Sequence, residues 1–147
     1  DVSQAKLTIS GVRDEPGLAA RVFRTLADAG VLVDMIVQNV GDHSKTDISF
    51  TVPLDHFDVA QSTCEEMAKS MGFSSVTGDK NLARVSVVGA GMASNPGVAA
   101  TMFETLASNS INIEMISTSP IRISCVVAEK DVDRATVALH EAYGLGN

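Results

Sequence analysis

The sequence is poor in basic residues. Lys and Arg together number 11 against 18 Asp and Glu, which gives a formal net charge of -7 and a pI near 4.8. Nucleic-acid binding calls for clustered positive charge, so this balance argues against nucleic acid as a partner. No apolar run approaches the roughly 20 residues of a membrane-spanning helix, and no signal-peptide pattern opens the chain. We therefore expect a cytoplasmic protein without membrane contacts.

Cysteine and recognisable catalytic motifs are also scarce. The two cysteines, Cys64 and Cys125, form no CxxC pair, so we expect two reduced thiols. The three histidines, His43, His56 and His140, do not have the spacing of metal ligands. The sequence contains no P-loop, serine nucleophile elbow or HExxH motif. We expect neither a catalytic residue nor a metal site in this segment.

The sequence does contain one stretch twice. Residues 11–36 match residues 91–116, with Pro16 aligned to Pro96 (96 − 16 = 80). An internal repeat of this length indicates that the chain is built from copies of one structural unit. It predicts two copies of one small domain in the 147 residues. Domains of about 70 residues are marginally stable alone, so we expect the copies to pack on each other or on a second chain.

The two copies show the same order of elements. In the first copy, alternating and helical apolar spacings predict, in order, a strand at 6–12, a helix at 16–30, strands at 31–40 and 46–52, a helix at 55–71 and a short strand at 74–77. Gly78 and Asp79 are expected to form a turn. In the second copy the corresponding elements are expected at 83–88, 96–108, 111–117, 121–127 and 132–143. Val59, Cys64, Met67 and Met71 should face the core.

This order predicts an α+β fold of two ferredoxin-like (βαββαβ) domains with antiparallel sheets. We expect the first domain at residues 1–80 and the second at 81–147. The second copy ends without its last strand. That strand is either missing or supplied by the N-terminal segment or by a partner chain, because an open sheet edge needs cover.

The loop before the first helix of each copy is a candidate binding element. Its sequence is DEPG at 14–17 and SNPG at 94–97. A helix start attracts carboxylate or phosphate groups through its unpaired N–H groups, and glycine lets a ligand approach the backbone closely. The alternative is a tight turn with a capping Asp or Asn. A dinucleotide site at GAG 89–91 is disfavoured, because the first copy lacks this motif and a Rossmann unit needs parallel strands.

Several strings together closely resemble the regulatory region of aspartokinase, which is built from two amino-acid-sensing ACT domains. They are DMIVQN 34–39, TDISF 46–50, VSVVGAGM 85–92, NPG 95–97, NIEMISTS 112–119, IRIS 121–124 and ALHEA 138–142. The resemblance implies an allosteric module that senses threonine, with lysine as a further candidate, for feedback inhibition of an aspartate kinase. That enzyme phosphorylates the β-carboxylate of aspartate with ATP, at the head of lysine, threonine and methionine biosynthesis.

The resemblance also implies the partners. They are a second copy of the chain in a homodimer and an aspartokinase catalytic domain or α subunit. No cofactor is expected in this segment, because ATP and Mg²⁺ would belong to the kinase domain. The resemblance implies either a natural β subunit or the C-terminal region of a longer protein, and because the chain begins at Asp1 instead of Met we allow for a fragment. The alternative is a stand-alone ACT–ACT sensor that controls a different partner.

Carried over by position, the resemblance implies a threonine site shared between the first loop and the second domain of a dimer mate. Its residues are Asp14, Pro16, Gly17, Ala19 and Gln38 on one side, with Asn112 and Ile113 on the other. The helix-start amides would bind the ligand carboxylate, Asp14 and Gln38 the polar groups including the ammonium, and Ala19 would keep the pocket small. Two departures stand out. Leu32 and Val33 align with Asn112 and Ile113, and Pro120 replaces the family's usual Glu, which bears on lysine binding.

Overall fold

The computed structural model describes residues 2–13, 15, 17–40, 45–88, 97–119 and 121–143. Within these residues it contains six strands, four α-helices and two short 3-10 helices at Leu54–His56 and Glu129–Asp131. In chain order the strands and α-helices are β1 (Val2–Arg13), α1 (Leu18–Asp28), β2 (Ile36–Val40), β3 (Lys45–Pro53), α2 (Phe57–Met71), β4 (Ser75–Val88), α3 (Gly97–Ser108), β5 (Met115–Ser119), β6 (Arg122–Ala128) and α4 (Val132–Ala142). No helix among the described residues is long and apolar enough to cross a membrane.

The chain divides into two compact units. One is Gln4–Lys80, and the other is Asn81–Asn147 together with Asp1–Ser3. This grouping is consistent with the expectation that the N-terminal segment supplies the last strand of the second ACT domain. That assignment and the domain limits at residues 80 and 81 stay predictions.

The first unit is an antiparallel sheet covered by two helices. Its strands lie in the order β2-β3-β1-β4. Strand β4 continues past Lys80, so its later residues belong to the second unit. Alternate residues of β3 are buried, and Ile48, Phe50 and Val52 form the core with Leu7 and Ile9 of β1. The helices contribute residues at helical spacing, among them Leu18, Val22 and Leu26 of α1 and Ala60, Cys64 and Met67 of α2. Burial of these apolar side chains is the main favourable term in the folding of the unit.

The end of β1 is irregular where it approaches the end of α2. The register between β1 and β3 shifts between Ile9 and Val12, and Gly11 in this bulge has φ 75. The Ser74 N–H donates to the Ser10 carbonyl, 2.9 Å away. A Cβ added at Gly11 would lie 2.0 Å from Ser74 Oγ and 2.7 Å from Ser74 Cβ. Glycine at position 11 therefore permits both the turn of the backbone and this close approach.

The second unit repeats the arrangement with different packing. Strands β4 and β5 both pair antiparallel with β6, and the Ser86 and Ser124 hydroxyls lie 2.7 Å apart across the β4–β6 pair. The core contains Val85 and Val87 of β4, Met102 and Leu106 of α3, Ile123, Cys125 and Val127 of β6, and Ala135 and Leu139 of α4. The Tyr143 hydroxyl, at the end of α4, donates to the Val98 carbonyl in the first turn of α3.

The structure corrects three local expectations. Residues 78 and 79 form no turn, because β4 runs without a break from Ser75 to Val88. Glycine is needed at 78 for another reason: an added Cβ would lie 2.5 Å from Cζ of Phe57. Val59 is 51% exposed and does not face the core. The runs at 31–40 and 111–117 form strands only from Ile36 and Met115 onwards.

Candidate functional site

The first turn of α1 is the first component of the candidate site. Gly17 precedes the helix with φ 85 and carries no side chain that could cap it. The Leu18 N–H donates to the Glu15 carbonyl at 3.2 Å, and the Arg21 N–H to the Gly17 carbonyl at 3.0 Å. Ala19 is half-buried and packs against the core. A helix start of this kind presents partial positive charge to a carboxylate.

The second component is a polar pair on β2 and β3. The Gln38 side-chain N–H₂ donates to the Thr46 hydroxyl, with Nε2 and Oγ1 3.4 Å apart. Gln38 lies directly opposite the core residue Ile48, so it projects on the sheet face that carries the helices. Thr46 lies opposite Val12, two positions before the loop to α1 begins. The pair therefore lies on the same face and at the same end of the sheet as the α1 start.

The predicted site residues fall into three groups. Gly17, Ala19 and Gln38 lie on that end of the first unit. Asp14 and Pro16 lie outside the described residues. Asn112 and Ile113 lie between α3 and β5 in the second unit, Asn112 exposed and Ile113 half-buried. Pro120 also lies outside the described residues.

The second copy lacks the polar pair. Thr118 occupies the place of Gln38 (118 − 38 = 80), because it lies opposite Ile123 as Gln38 lies opposite Ile48. Ile121 aligns with Thr46 (121 − 46 = 75) and is 56% exposed. The sequence interpretation did not include Thr46 in the site. The contrast of Thr46 with Ile121 between the aligned strings TDIS and IRIS was the signal that could have revealed it.

The cysteines and His56 do not contribute to this site. Cys64 and Cys125 are both unpaired and buried, which confirms the expected reduced thiols. Burial raises the pKa of Cys64 to about 12, with a smaller contribution from Glu65, and that of Cys125 to about 11. His56 Nδ1 accepts a hydrogen bond from the Leu32 N–H at 3.1 Å. Among the described residues there is no group of His, Cys, Asp and Glu that could hold a metal ion.

Comparisons with known proteins agree on one family. The ACT domain family model matches residues 7–67 and 85–143. The aspartokinase of Mycobacterium tuberculosis H37Rv is 49% identical over 99% of this chain and 35% of its own length. The aspartate kinase of Pseudomonas fluorescens is 49% identical over 97% of this chain and 34% of its own length. The chain thus spans about a third of the length of these curated relatives.

Two solved structures of regulatory chains match over nearly their whole length. The ligand-free regulatory subunit of aspartate kinase from Thermus thermophilus has a TM-score of 0.91 and 39% identity, over 97% of this chain and 94% of that one. A chain in a structure of aspartokinase alpha and beta subunits has a TM-score of 0.92 and 44% identity, over 99% and 95%. The chain belongs to the ACT domain family and corresponds to the regulatory part of aspartokinases. The predicted α+β fold with two ACT domains and antiparallel sheets is confirmed.

Proposed function

We propose that this chain is the allosteric regulatory module of an aspartate kinase and that it binds threonine at the start of α1, for feedback inhibition. The observation that carries the proposal is the Gln38–Thr46 pair, which lies on the same face and at the same end of the sheet as the α1 start. In this proposal the kinase residues, ATP and Mg²⁺ belong to a catalytic domain or α subunit outside this chain. This chain spans about a third of the length of its curated relatives, which supports that division.

The chemistry of threonine fits this set of residues. Its carboxylate would accept hydrogen bonds from N–H groups in the first turn of α1 that follow Leu18, because the Leu18 N–H already donates to the Glu15 carbonyl. Its ammonium and hydroxyl would meet the Gln38 amide and the Asp14 carboxylate. Gly17 allows close approach to the backbone, and Ala19 leaves room only for a small side chain. Asn112 and Ile113 of a second copy would complete the site, and lysine is a further candidate ligand.

The proposed module is a homodimer. Ile36, in β2, is 54% exposed, and Leu32, which precedes that strand, is 65% exposed. Apolar surface of this kind is stabilised by a partner, and domains of about 70 residues gain most from such cover. Sedimentation equilibrium at tens of micromolar should give twice the chain mass, with and without amino acids. A monomer under both conditions would contradict the dimer.

A screen of thermal stability against the twenty amino acids tests the proposed ligand. A ligand at 100 times its dissociation constant adds about 2.7 kcal/mol to the free energy of unfolding. Threonine should raise the melting temperature, whereas valine, of similar shape but without the hydroxyl, should raise it less. Threonine can regulate a kinase partner only through different affinities for two states of the assembly. If no amino acid changes the melting temperature, the sensing function is wrong.

A further inference from the structure

Arg13, the last residue of β1, joins the loop before α1 to the end of α2. Its Nη1 donates to the Met71 carbonyl at 3.1 Å, and its Nε donates to Glu15 Oε1 at 2.9 Å. Met71 is the last residue of α2, where the final carbonyls have no partner within the helix. A cation is favourable at this end of a helix because the partial charge there is negative.

The hydrogen bonds of Glu15 continue this connection to the first residue of α1. The Glu15 N–H donates to the Arg13 carbonyl at 2.9 Å, and the Glu15 carbonyl accepts from the Leu18 N–H at 3.2 Å. Glu15 is therefore held through its amide, its carbonyl and its side chain. An unbroken series of hydrogen bonds leads from the Met71 carbonyl at the end of α2 to the Leu18 amide at the start of α1.

Two further features concern the neighbour of the guanidinium and the residue aligned with Arg13 in the second copy. Gly72, with φ 77, lies beside the guanidinium: an added Cβ would be in ordinary van der Waals contact with Arg13 Nη1, at 3.7 Å. In the second copy the aligned residue is Ala93 (93 − 13 = 80), which cannot make such a connection. The arginine is thus confined to the copy that also contains the Gln38–Thr46 pair.

We propose that Arg13 is a positioning residue that holds the start of α1 in its ligand-binding form before the ligand arrives. This inference rests on the proposed function, since it deepens the account of the same site. A helix start ordered in advance does not have to be ordered by the ligand, so part of the entropic cost of binding is removed. Arg13 acts through Glu15 and the Leu18 amide, without contact with the ligand.

The test compares Arg13→Ala with a matched control, Arg24→Ala. Arg24 lies on α1 and loses the same charge, but among the residues that the structure describes it bonds only to Asp28 on its own helix, at 2.7 and 3.1 Å. Titration calorimetry should show the threonine dissociation constant rise about three- to tenfold in Arg13→Ala. The threonine dissociation constant of Arg24→Ala should stay within twofold of that of the original protein. Arg13→Lys keeps the charge but can reach only one partner at a time, so it should fall between the two.

Hydrogen exchange of the ligand-free proteins separates positioning from general destabilisation. In Arg13→Ala, exchange should become faster in the peptide covering residues 11–20 and stay unchanged in peptides from β3 and β6. Faster exchange throughout the protein, or a dissociation constant within twofold of the original, would overturn the proposal. If the original protein binds no threonine, the proposed function fails. The exchange comparison would then still decide whether Arg13 holds the loop.

Discussion

Phe23 and Phe50 meet edge to face in the first unit, with ring centroids 5.7 Å apart and ring planes at 78°. The aligned residues of the second unit are Phe103 (103 − 23 = 80) and Cys125 (125 − 50 = 75). Phe103 is 45% exposed, and the Cys125 sulfur lies 3.6 Å from the Met102 sulfur. In the second unit, where Cys125 takes the place of the Phe50 ring, the helix residue Phe103 is therefore exposed.

This difference predicts unequal effects of removing aromatic side chains. Phe50 is fully buried, so Phe50→Ala should lower the free energy of unfolding by about 3–5 kcal/mol. Phe103→Ala should change it by about 0.5 kcal/mol or less, as is usual for an exposed position. Urea denaturation followed by circular dichroism measures both values. Equal losses in the two variants would show that Phe103 is covered in solution.

The Gln38–Thr46 pair should contribute to threonine affinity. Gln38→Ala removes an amide that the ligand would contact, and a hydrogen bond is worth about 0.5–1.5 kcal/mol, so the dissociation constant should rise up to about tenfold. Thr46→Val removes the acceptor that orients this amide and should act in the same direction by less. Thr118→Val, at the equivalent place in the second copy, is the control. If calorimetry gives all three variants the same threonine affinity as the original protein, Gln38 and Thr46 do not belong to the site.

The two copies should not bind threonine equally. A reciprocal site would combine the 94–97 loop with Leu32 and Val33, and would lack both the Asp carboxylate and the Asn side chain. Losing a charged partner for the ligand ammonium costs on the order of 1.5–3 kcal/mol, at least tenfold in affinity. We therefore expect one threonine per chain and two per dimer.

Exchanging the aligned residues tests this asymmetry. Asn112→Leu should abolish tight binding, whereas Leu32→Asn should leave it intact, because position 32 belongs to the reciprocal combination. The stoichiometry comes from the same calorimetric titrations. Saturation at two equivalent threonines per chain would refute the asymmetry.

Alanine substitutions at Gly11 and Gly30 should distinguish the stability cost of backbone strain from that of a steric clash. Both glycines have positive φ, 75 and 81, but only Gly11 has neighbours where a Cβ would lie. Gly30→Ala should cost about 1–2 kcal/mol of the free energy of unfolding, from strain alone. Gly11→Ala adds the contact with Ser74 and should cost about 3 kcal/mol or more. Denaturant midpoints of the two variants give the comparison, and equal costs would mean that the β1 bulge adjusts freely.

The order of elements could be predicted from the sequence because it depends on local periodicity and on the repeat. Leu18, Val22 and Leu26 already mark the buried side of α1 by their spacing. Gly78 was misread because a glycine required for a turn and one required for packing look alike. The difference depends on Phe57, which contacts it only in the folded chain.

The candidate site was predictable only in part. The family resemblance led to Gln38, and glycine with proline at a helix start led to the α1 loop. The repeat distinguishes Thr46 from Ile121, but the contact of Thr46 with Gln38 depends on the register of β2 against β3, which the sequence does not specify. The bond from Arg13 to Met71 joins residues 58 positions apart at the protein surface, and no periodicity connects them.

The two buried thiols are distributed one to each unit: Cys64 lies within Gln4–Lys80 and Cys125 within Asn81–Asn147. The sequence has no third cysteine. A thiol is modified as the thiolate, and only where a reagent can reach it. Each sulfur should therefore react only after its own half of the chain has opened. The modification rates of Cys64 and Cys125 thus report local opening of the two halves separately. If a small molecule protects one half, the rate of that thiol should fall relative to the other, without an introduced label.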